Sequence, residues 1–453
     1  MLEIRCAKEV RGKVHLPPNP DVYALVLALC AATGRRAVIA PVPRCPQRLR
    51  WDETFAPLLH IEENEERVMV EPVTDKGALI QNFALRESPH GEFMLFMLLG
   101  MGITVTIARE GEGRIARWME LMCSVGCSLD VQTLDDSLSL RVTLSRACFS
   151  PLPACDPDSF EALLGLAFGA GSECTGIQES SYVSPLRPLL VLLGARFSTR
   201  NLSGERRGDP IARRIQRMRT GGKKSGTTPQ LFEIRLAPPA HAADEAVFIS
   251  LPGDTTLCSV LICAKSLIQR GNLVIENAPL DAWALPPLGF IRKMGCTPAV
   301  QPRDPSSCGE QGLLQLQRFE PVGRKCECTP LYLYRSHVAS LCIISLFAKG
   351  ESVLRELELL RQETPDEIEV LAACLRDTGA HLGEMPDGII IKGGRQIDGF
   401  DLASAYAPAL AGAFCAAGLK STGSTTVNDI RLLQRWPDFA ALLDSICVYR
   451  SSS

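Results

Sequence analysis

The chain has 453 residues, with 48 Lys and Arg against 51 Asp and Glu, a formal net charge of −3. A balance so near neutrality gives no global reason to expect nucleic acid or an anionic membrane as partner, so partners have to be argued from sites. The length exceeds what a single hydrophobic core usually supports, and two domains are expected.

In chain order, the opening Met1-Leu2-Glu3-Ile4-Arg5 lacks a basic start followed by an apolar core. No secretion signal is read there, and a cytoplasmic location is expected. Apolar helix-like runs ending at glycine then recur six times, over 22–34, 93–102, 159–171, 257–271, 338–350 and 407–423. Short strand-like stretches follow, such as Ile103-Thr104-Val105-Thr106, Leu273-Val274-Ile275 and Ser352-Val353-Leu354. In four copies a second amphipathic segment closes on another glycine, at Gly126, Gly194, Gly295 and Gly379. This periodicity predicts a repeated α-β-α-β unit, the sequence signature of a fold built from one supersecondary element. The longest uncharged apolar stretch, 93–108, is shorter than the roughly 20 residues of a membrane-spanning helix and is interrupted by Gly100 and Gly102. It reads as a buried helix followed by a strand.

The spacing also locates a discontinuity. The interval from Gly171 to Gly271 exceeds its neighbours by about 25 to 30 residues. The excess falls where the chain turns polar. Arg200, Arg206, Arg207, Arg213, Arg214, Arg217, Arg219, Lys223 and Lys224 stand there against only Glu205 and Asp209, and a Gly/Ser/Thr/Pro stretch, 221–229, follows. A solvated insertion is the simpler expectation, and a docking surface for an acidic protein partner at Arg200 to Lys224 the sharper one. No interleaved aromatics favour nucleic acid. The 18 cysteines are scattered mostly through apolar runs, where a thiol packs as a small hydrophobe, so a disulfide framework is disfavoured. The close pairs Cys123 with Cys127 and Cys326 with Cys328 have no histidine at metal-finger spacing, and no metal or cofactor is expected.

Pro252-Gly253-Asp254-Thr255-Thr256, then an apolar run, Gly271-Asn272-Leu273-Val274-Ile275-Glu276-Asn277 and Met294-Gly295 resemble the fourth repeat of EPSP synthase, the shikimate-pathway enolpyruvyl transferase. The similarity continues through Phe347-Ala348-Lys349-Gly350-Glu351-Ser352, Pro386-Asp387-Gly388 and Trp436-Pro437-Asp438-Phe439, and Gly12-Lys13-Val14-His15-Leu16-Pro17-Pro18 resembles that family's opening. The resemblance is strongest over 251–443. It implies an α/β fold of the α+β kind, a two-domain inside-out α/β barrel of six βαβαββ repeats. One lobe would comprise 1–16 with 245–453 and the other 17–244, with the active site in the cleft between them. The branch that acts on a UDP-sugar matches less well, because the proline-glycine-aspartate turn is of the shikimate type.

The reaction that the resemblance implies joins phosphoenolpyruvate to shikimate-3-phosphate, each carrying a carboxylate and a phosphate. Such a cleft needs several fixed cations and an acid–base pair. At the family's positions this chain carries other groups. The lysine-serine pair of the first helix falls on Pro20 and Asp21, and 16–34 holds no lysine, serine or arginine. The methionine-arginine pair of the second repeat reads Met94-Leu95; the third repeat's glutamine falls on Asp158, and its serine-arginine-aspartate-histidine segment on Tyr182-Val183-Ser184-Pro185. The fourth repeat's asparagine and arginine fall on Asp281 and Ala284. The aspartate that would deprotonate the hydroxyl, with its neighbour, falls on Ser336-His337. The arginine-x-lysine-glutamate-serine-aspartate-arginine motif reads Arg361-Gln362-Glu363-Thr364-Pro365-Asp366-Glu367, a cation turned to an anion at Glu363 and Glu367. The aspartate-histidine-arginine triplet reads Ala403-Ser404-Ala405, and the last lysine becomes Gln434, beside Arg435.

Arg361, Asp366 and Arg435 therefore remain as substrate-binding candidates. His337 is a candidate base, though a single histidine before an apolar helix is more often a cap or a surface group. Gly393-Gly394-Arg395 and Gly221-Gly222-Lys223-Lys224-Ser225 lack phosphate-loop spacing, and Trp436 and Phe439 are expected to fix the final helix to the core. The expectation is a catalytically degenerate homologue with a structural or binding role; the alternative is a divergent, active 3-phosphoshikimate 1-carboxyvinyltransferase using Arg361, Arg435 and His337.

Overall fold

The computed structural model of the chain describes residues 2–64, 66–73, 79–144, 147–153, 155–178, 186–202, 232–239, 245–280, 286–303, 305–328, 336–361, 366–394, 396–402 and 408–450. The six apolar runs fold as the helices α1 Pro20–Thr33, α2 Gly91–Gly100, α3 Pro157–Gly169, α4 Thr255–Leu267, α5 Ser336–Phe347 and α6 Pro408–Gly418. Being apolar on every side, they cannot lie on a surface. All of α4 is buried, and so is α6 from Ala409 to Gly418.

Glycine ends these runs because the chain must turn through the left-handed region, which a Cβ disfavours. Gly34, Gly102, Gly171, Gly271 and Gly350 all lie at φ between 67° and 88°. The sixth run differs. Its Gly423 is not left-handed; α6 has already stopped at Gly418, whose carbonyl accepts from Ser421 Oγ at 2.8 Å. The four second segments are helices, Glu112–Ser124, Leu186–Leu192, Pro286–Lys293 and Glu367–Asp377, and each is followed by its positive-φ glycine.

The chain divides into two compact units. The first, Met1–Pro20 with Pro41–Arg50 and Ser250–Ser453, packs α4, α5 and α6 pairwise against one another. Strand Gly12–His15 runs parallel to Leu273–Pro279, which continues antiparallel to Gln311–Leu316 and then Pro298–Pro302. Lys325–Glu327 likewise runs parallel to Glu351–Arg355, followed antiparallel by Gly388–Lys392 and His381–Met385. A third sheet joins Leu2–Ile4, Thr425–Val427 and Asp401–Leu402, and Ala7–Val10 pairs with Cys447–Tyr449.

The second unit, Asp21–Ala40 with Trp51–Ile249, repeats the design. Val247–Ile249 is parallel to Ala37–Ile39, followed by Val68–Pro72 and Leu59–Glu63; Leu79–Phe83 is parallel to Thr104–Ala108, followed by Ser137–Thr143 and Ser128–Thr133. Cys174–Gln178, Phe232–Ala237 and Arg196–Asn201 form its third sheet. The two passages of the chain between units exchange first strands. Gly12–His15 precedes α1 yet pairs with the strand after α4, and Val247–Ile249 precedes α4 yet pairs with the strand after α1. In the second unit α2 and α3 meet backbone to backbone: a Cβ on Gly165 would lie 2.3 Å from Phe93 O, and one on Gly169 would lie 1.9 Å from Met97 O.

All 18 cysteines are free thiols. Among the described residues no helix is long and apolar enough to cross a membrane. The basic stretch lies outside the described residues beyond Leu202.

Candidate functional site

The first unit brings together most of the retained motif residues. The Pro252-Gly253-Asp254 turn is fastened to the N-terminal strand's exit by Asp254 N–H to Pro17 O at 2.8 Å and Asn19 N–H to Pro252 O at 2.9 Å. Gly253 is required for this approach, because a Cβ there would stand 2.1 Å from Asn277 O. Asp254 caps α4, Oδ1 accepting from Thr256 N–H at 2.8 Å and Leu257 N–H at 3.1 Å. The same carboxylate takes a two-pronged contact from Arg435, Nε to Oδ2 at 3.0 Å and Nη2 to Oδ1 at 3.1 Å. Trp436 Nε1 adds a third donor at 3.0 Å, and Gln47 Oε1 accepts from Arg435 Nη1 at 3.4 Å. Asp254 is 1% exposed and Arg435 7%. The buried charge is thus matched inside the protein, by the fork geometry that suits carboxylates.

Trp436 and Phe439 are buried with ring centroids 5.6 Å apart, and so hold the last helices to the core. Gln434, at the place of the family's last lysine, accepts from Arg50 Nη2 at 3.4 Å.

His337 is neither a cap nor on the surface. It lies in the first turn of α5 and is 1% exposed. Burial pushes its imidazole down to about 3, with the Asp254 charge acting the other way. A base held so low is neutral at physiological pH and weak as a proton acceptor. Ser336 begins the same helix.

Arg361 ends the short helix Glu358–Arg361 and is held by three internal acceptors. Nη1 donates to Asp366 Oδ2 at 3.0 Å, Nη2 to Glu384 Oε2 at 3.2 Å and Nε to Met385 O at 3.0 Å. Burial opposes its charge, but the bonds to Asp366 and Glu384 prevail and hold the guanidinium above its ordinary value. Arg376, at 2.6 Å from Glu384 Oε1, completes the group and pulls that carboxyl down. Asp366 is also the N-cap of the Glu367–Asp377 helix, accepting from Ile368 and Glu369 N–H at 2.8 and 3.0 Å. Glu367 occupies that helix's first turn, where an acid suits the macrodipole and a cation would not. Glu363, Thr364 and Ser404 lie outside the described residues, as do Asp281 and Ala284.

Pro386-Asp387-Gly388 has an architectural use. Arg355 Nε donates to Asp387 Oδ2 at 2.7 Å, and a Cβ on Gly388 would stand 1.9 Å from Leu354 O. In Phe347-Ala348-Lys349, the lysine bonds to Glu320. Among the described residues no group of three His, Cys, Asp or Glu side chains is placed to hold a metal ion. The sequence reading passed over Asp254 as a partner for Arg435, although the motif carried it, and over Gln47. Only the fold brings residues 47, 254 and 435 together.

Residues 223–443 match the family model of EPSP synthase (3-phosphoshikimate 1-carboxyvinyltransferase). The 3-phosphoshikimate 1-carboxyvinyltransferase of Geobacter sulfurreducens is 35% identical over 206 residues, 44% of this chain and 47% of that protein. That of Koribacter versatilis is 24% identical over 277 residues, 61% of this chain and 64% of the relative. The chain spans about half the length of most of the curated relatives it matches. Solved structures match over nearly the whole chain. EPSP synthase from Acinetobacter baumannii superposes with a TM-score of 0.67 at 15% identity, covering 99% of this chain and 98% of that one. The enolpyruvyl transferase NikO from Streptomyces tendae gives 0.69 at 16% identity, with 99% and 98% covered.

Proposed function

We infer, from the premise that residues 223–443 belong to the EPSP synthase family and the chain shares its fold, that this protein keeps the scaffold while having lost enolpyruvyl transfer to shikimate-3-phosphate. Its role is then structural or binding. The observation that carries this reading is that the two candidate substrate-binding cations of the first unit, Arg361 and Arg435, are matched by the protein's own carboxylates. Freeing Arg435 for a substrate would leave Asp254 buried without its counter-charge, a penalty of about 3 to 5 kcal/mol. Each charge-assisted contact missing elsewhere is worth about 1.5 to 3 kcal/mol. Several such losses exceed the roughly 8 kcal/mol of a micromolar affinity. His337, buried and neutral, does not replace the missing base. An acidic protein partner at Arg200 to Lys224 is part of the same proposal, supported by the charge of that stretch alone.

One observation favours the second reading, a divergent active transferase: Arg361 and Asp366 keep their motif places. Isothermal titration with shikimate-3-phosphate and phosphoenolpyruvate, run beside a phosphate-release assay, decides between them. No heat and no phosphate are expected, and micromolar binding with turnover would establish the active enzyme instead.

A further inference from the structure

The first unit gathers exposed cations around the Met294-Gly295 turn: Arg270, Arg292, Lys293, Arg318, Arg324 and Lys325. The segment 318–325 draws them together. It starts beside Gln269, whose Oε1 accepts from Phe319 N–H at 2.8 Å, and this brings Arg318 next to Arg270. It then crosses the turn, where Val322 N–H donates to Met294 O at 3.0 Å, and reaches Lys293, whose carbonyl accepts from Arg324 Nε at 3.2 Å. Phe290 and Phe319, both buried, fix the backbone that carries these side chains.

Among the described residues none of the six cations forms an ion pair with Asp or Glu. The acids nearest to them are already taken: Glu320 pairs with Lys349, and Glu9, which lies against Gly271, pairs with Arg11. Helix chemistry accounts for part of the group. Arg292 and Lys293 fill the last turn of Pro286–Lys293, where cations suit the macrodipole, and Arg324 caps its end. Arg270, Arg318 and Lys325 lie in no helix, and they extend the positive surface to either side of that helix end. Like charges held so close repel one another, and an anion that spans them relieves the repulsion.

We propose that this face of the first unit docks an acidic protein segment, a run of Asp and Glu side chains carried by another chain. Four of the six cations are arginines, whose planar forks pair with carboxylates through two parallel bonds. A phosphate polyanion fits less well. The chain carries a net charge of −3, so a nucleic-acid duplex or an anionic membrane, whose charge spreads far beyond the patch, would also meet the acidic remainder of the surface. With Phe290 and Phe319 buried, neither offers a ring on which a base could stack. None of the six is a substrate-binding candidate and none lies within 206–224, so this surface goes beyond the function proposed above and does not depend on it.

The test is fluorescence anisotropy of a labelled oligoglutamate peptide titrated with the full-length protein. Binding is expected at 0.1 M salt, where the screening length is about 10 Å, and its loss at 1 M, where that length is about 3 Å. Reversing two exposed charges, Arg318→Glu with Lys325→Glu, should weaken binding about tenfold while circular dichroism stays unchanged. Arg270→Glu with Lys293→Glu repeats the measurement on other members of the patch. Arg213→Glu with Arg214→Glu, in the separate basic stretch, should leave the affinity as it is. No binding at 0.1 M salt, or an affinity unchanged in both patch variants, would overturn the surface. Loss confined to the Arg213 and Arg214 variant would move acidic docking to the other stretch and overturn it equally. Tighter, patch-dependent binding of a duplex oligonucleotide or of anionic phospholipid vesicles than of the peptide would overturn the acidic protein segment as the partner.

Discussion

Arg435 illustrates how a cation at the right place in a sequence can be unavailable to a ligand. Its fork is closed on Asp254, whose oxygens also hold the first N–H groups of α4 and the Trp436 indole. Arg435→Met should therefore lower stability by about 3 to 5 kcal/mol, because it strands a buried carboxylate. Gln434→Met, which loses only a long contact to Arg50, should stay within about 0.5 kcal/mol. Urea midpoints of the two variants check this, and equal midpoints would deny Arg435 its internal role. His337 gives a pH dependence. Its folded-state value, about 3, lies below the unfolded value near 6.5, so between these limits the unfolded chain binds more protons. Stability is then complete above pH 6.5 and falls with acidification, by about 1.4 kcal/mol per pH unit in the steepest part. His337→Gln should flatten that limb between pH 6.5 and 5, measured as the denaturation midpoint against pH. A parallel loss in wild type and variant would show that the imidazole is not the group responsible.

At the scale of elements, glycine has two uses that sequence alone treats alike. Gly169 lets α3 touch α2; a Cβ would lie 1.9 Å from Met97 O, with backbone on both sides unable to give way. Gly289 sits in the exposed middle of Pro286–Lys293 with nothing within 4 Å of its would-be Cβ. Gly169→Ala should cost at least about 1 to 3 kcal/mol by overpacking, whereas Gly289→Ala should gain about 0.5 to 1 kcal/mol through helix propensity and a less free unfolded chain. Thermal melts of the pair would show opposite shifts, and a shared sign would contradict the contacts described. The run-ending glycines were legible in the sequence because each marks a left-handed turn after an apolar helix, a local requirement independent of the rest of the fold. Gly423 escaped that logic, since α6 is closed by Ser421 rather than by a left-handed turn. The Gly165 and Gly169 contact was not legible, because nothing local in α3 tells which helix will lie against it.

At the scale of the whole molecule, architecture was more legible than chemistry for the same reason. Apolar periodicity and turn glycines act within a few residues, so they survive in the sequence as a pattern. The partners that decide whether Arg361 and Arg435 are free come from Glu384 and Asp254, and the latter is 181 residues from Arg435. The cooperativity of the first unit can be tested through its thiols. Cys258 and Cys263 lie on α4, Cys342 on α5 and Cys415 on α6, all buried among one another's helices. Burial raises each thiol well above its ordinary value, so the reactive thiolate is scarce in the folded state. Cys123 and Cys148 are exposed and should take up a maleimide at once. The other four share a single core, and removing any one helix would expose the other two. They should therefore become reactive together, at one common denaturant concentration, when labelling is followed by peptide mass spectrometry. If α6 released Cys415 at a distinctly lower concentration than α4 released Cys258 and Cys263, the three helices would not form one cooperative core, and the fastening of the chain's last helices through Trp436 to Asp254 would be weaker than its hydrogen bonds imply.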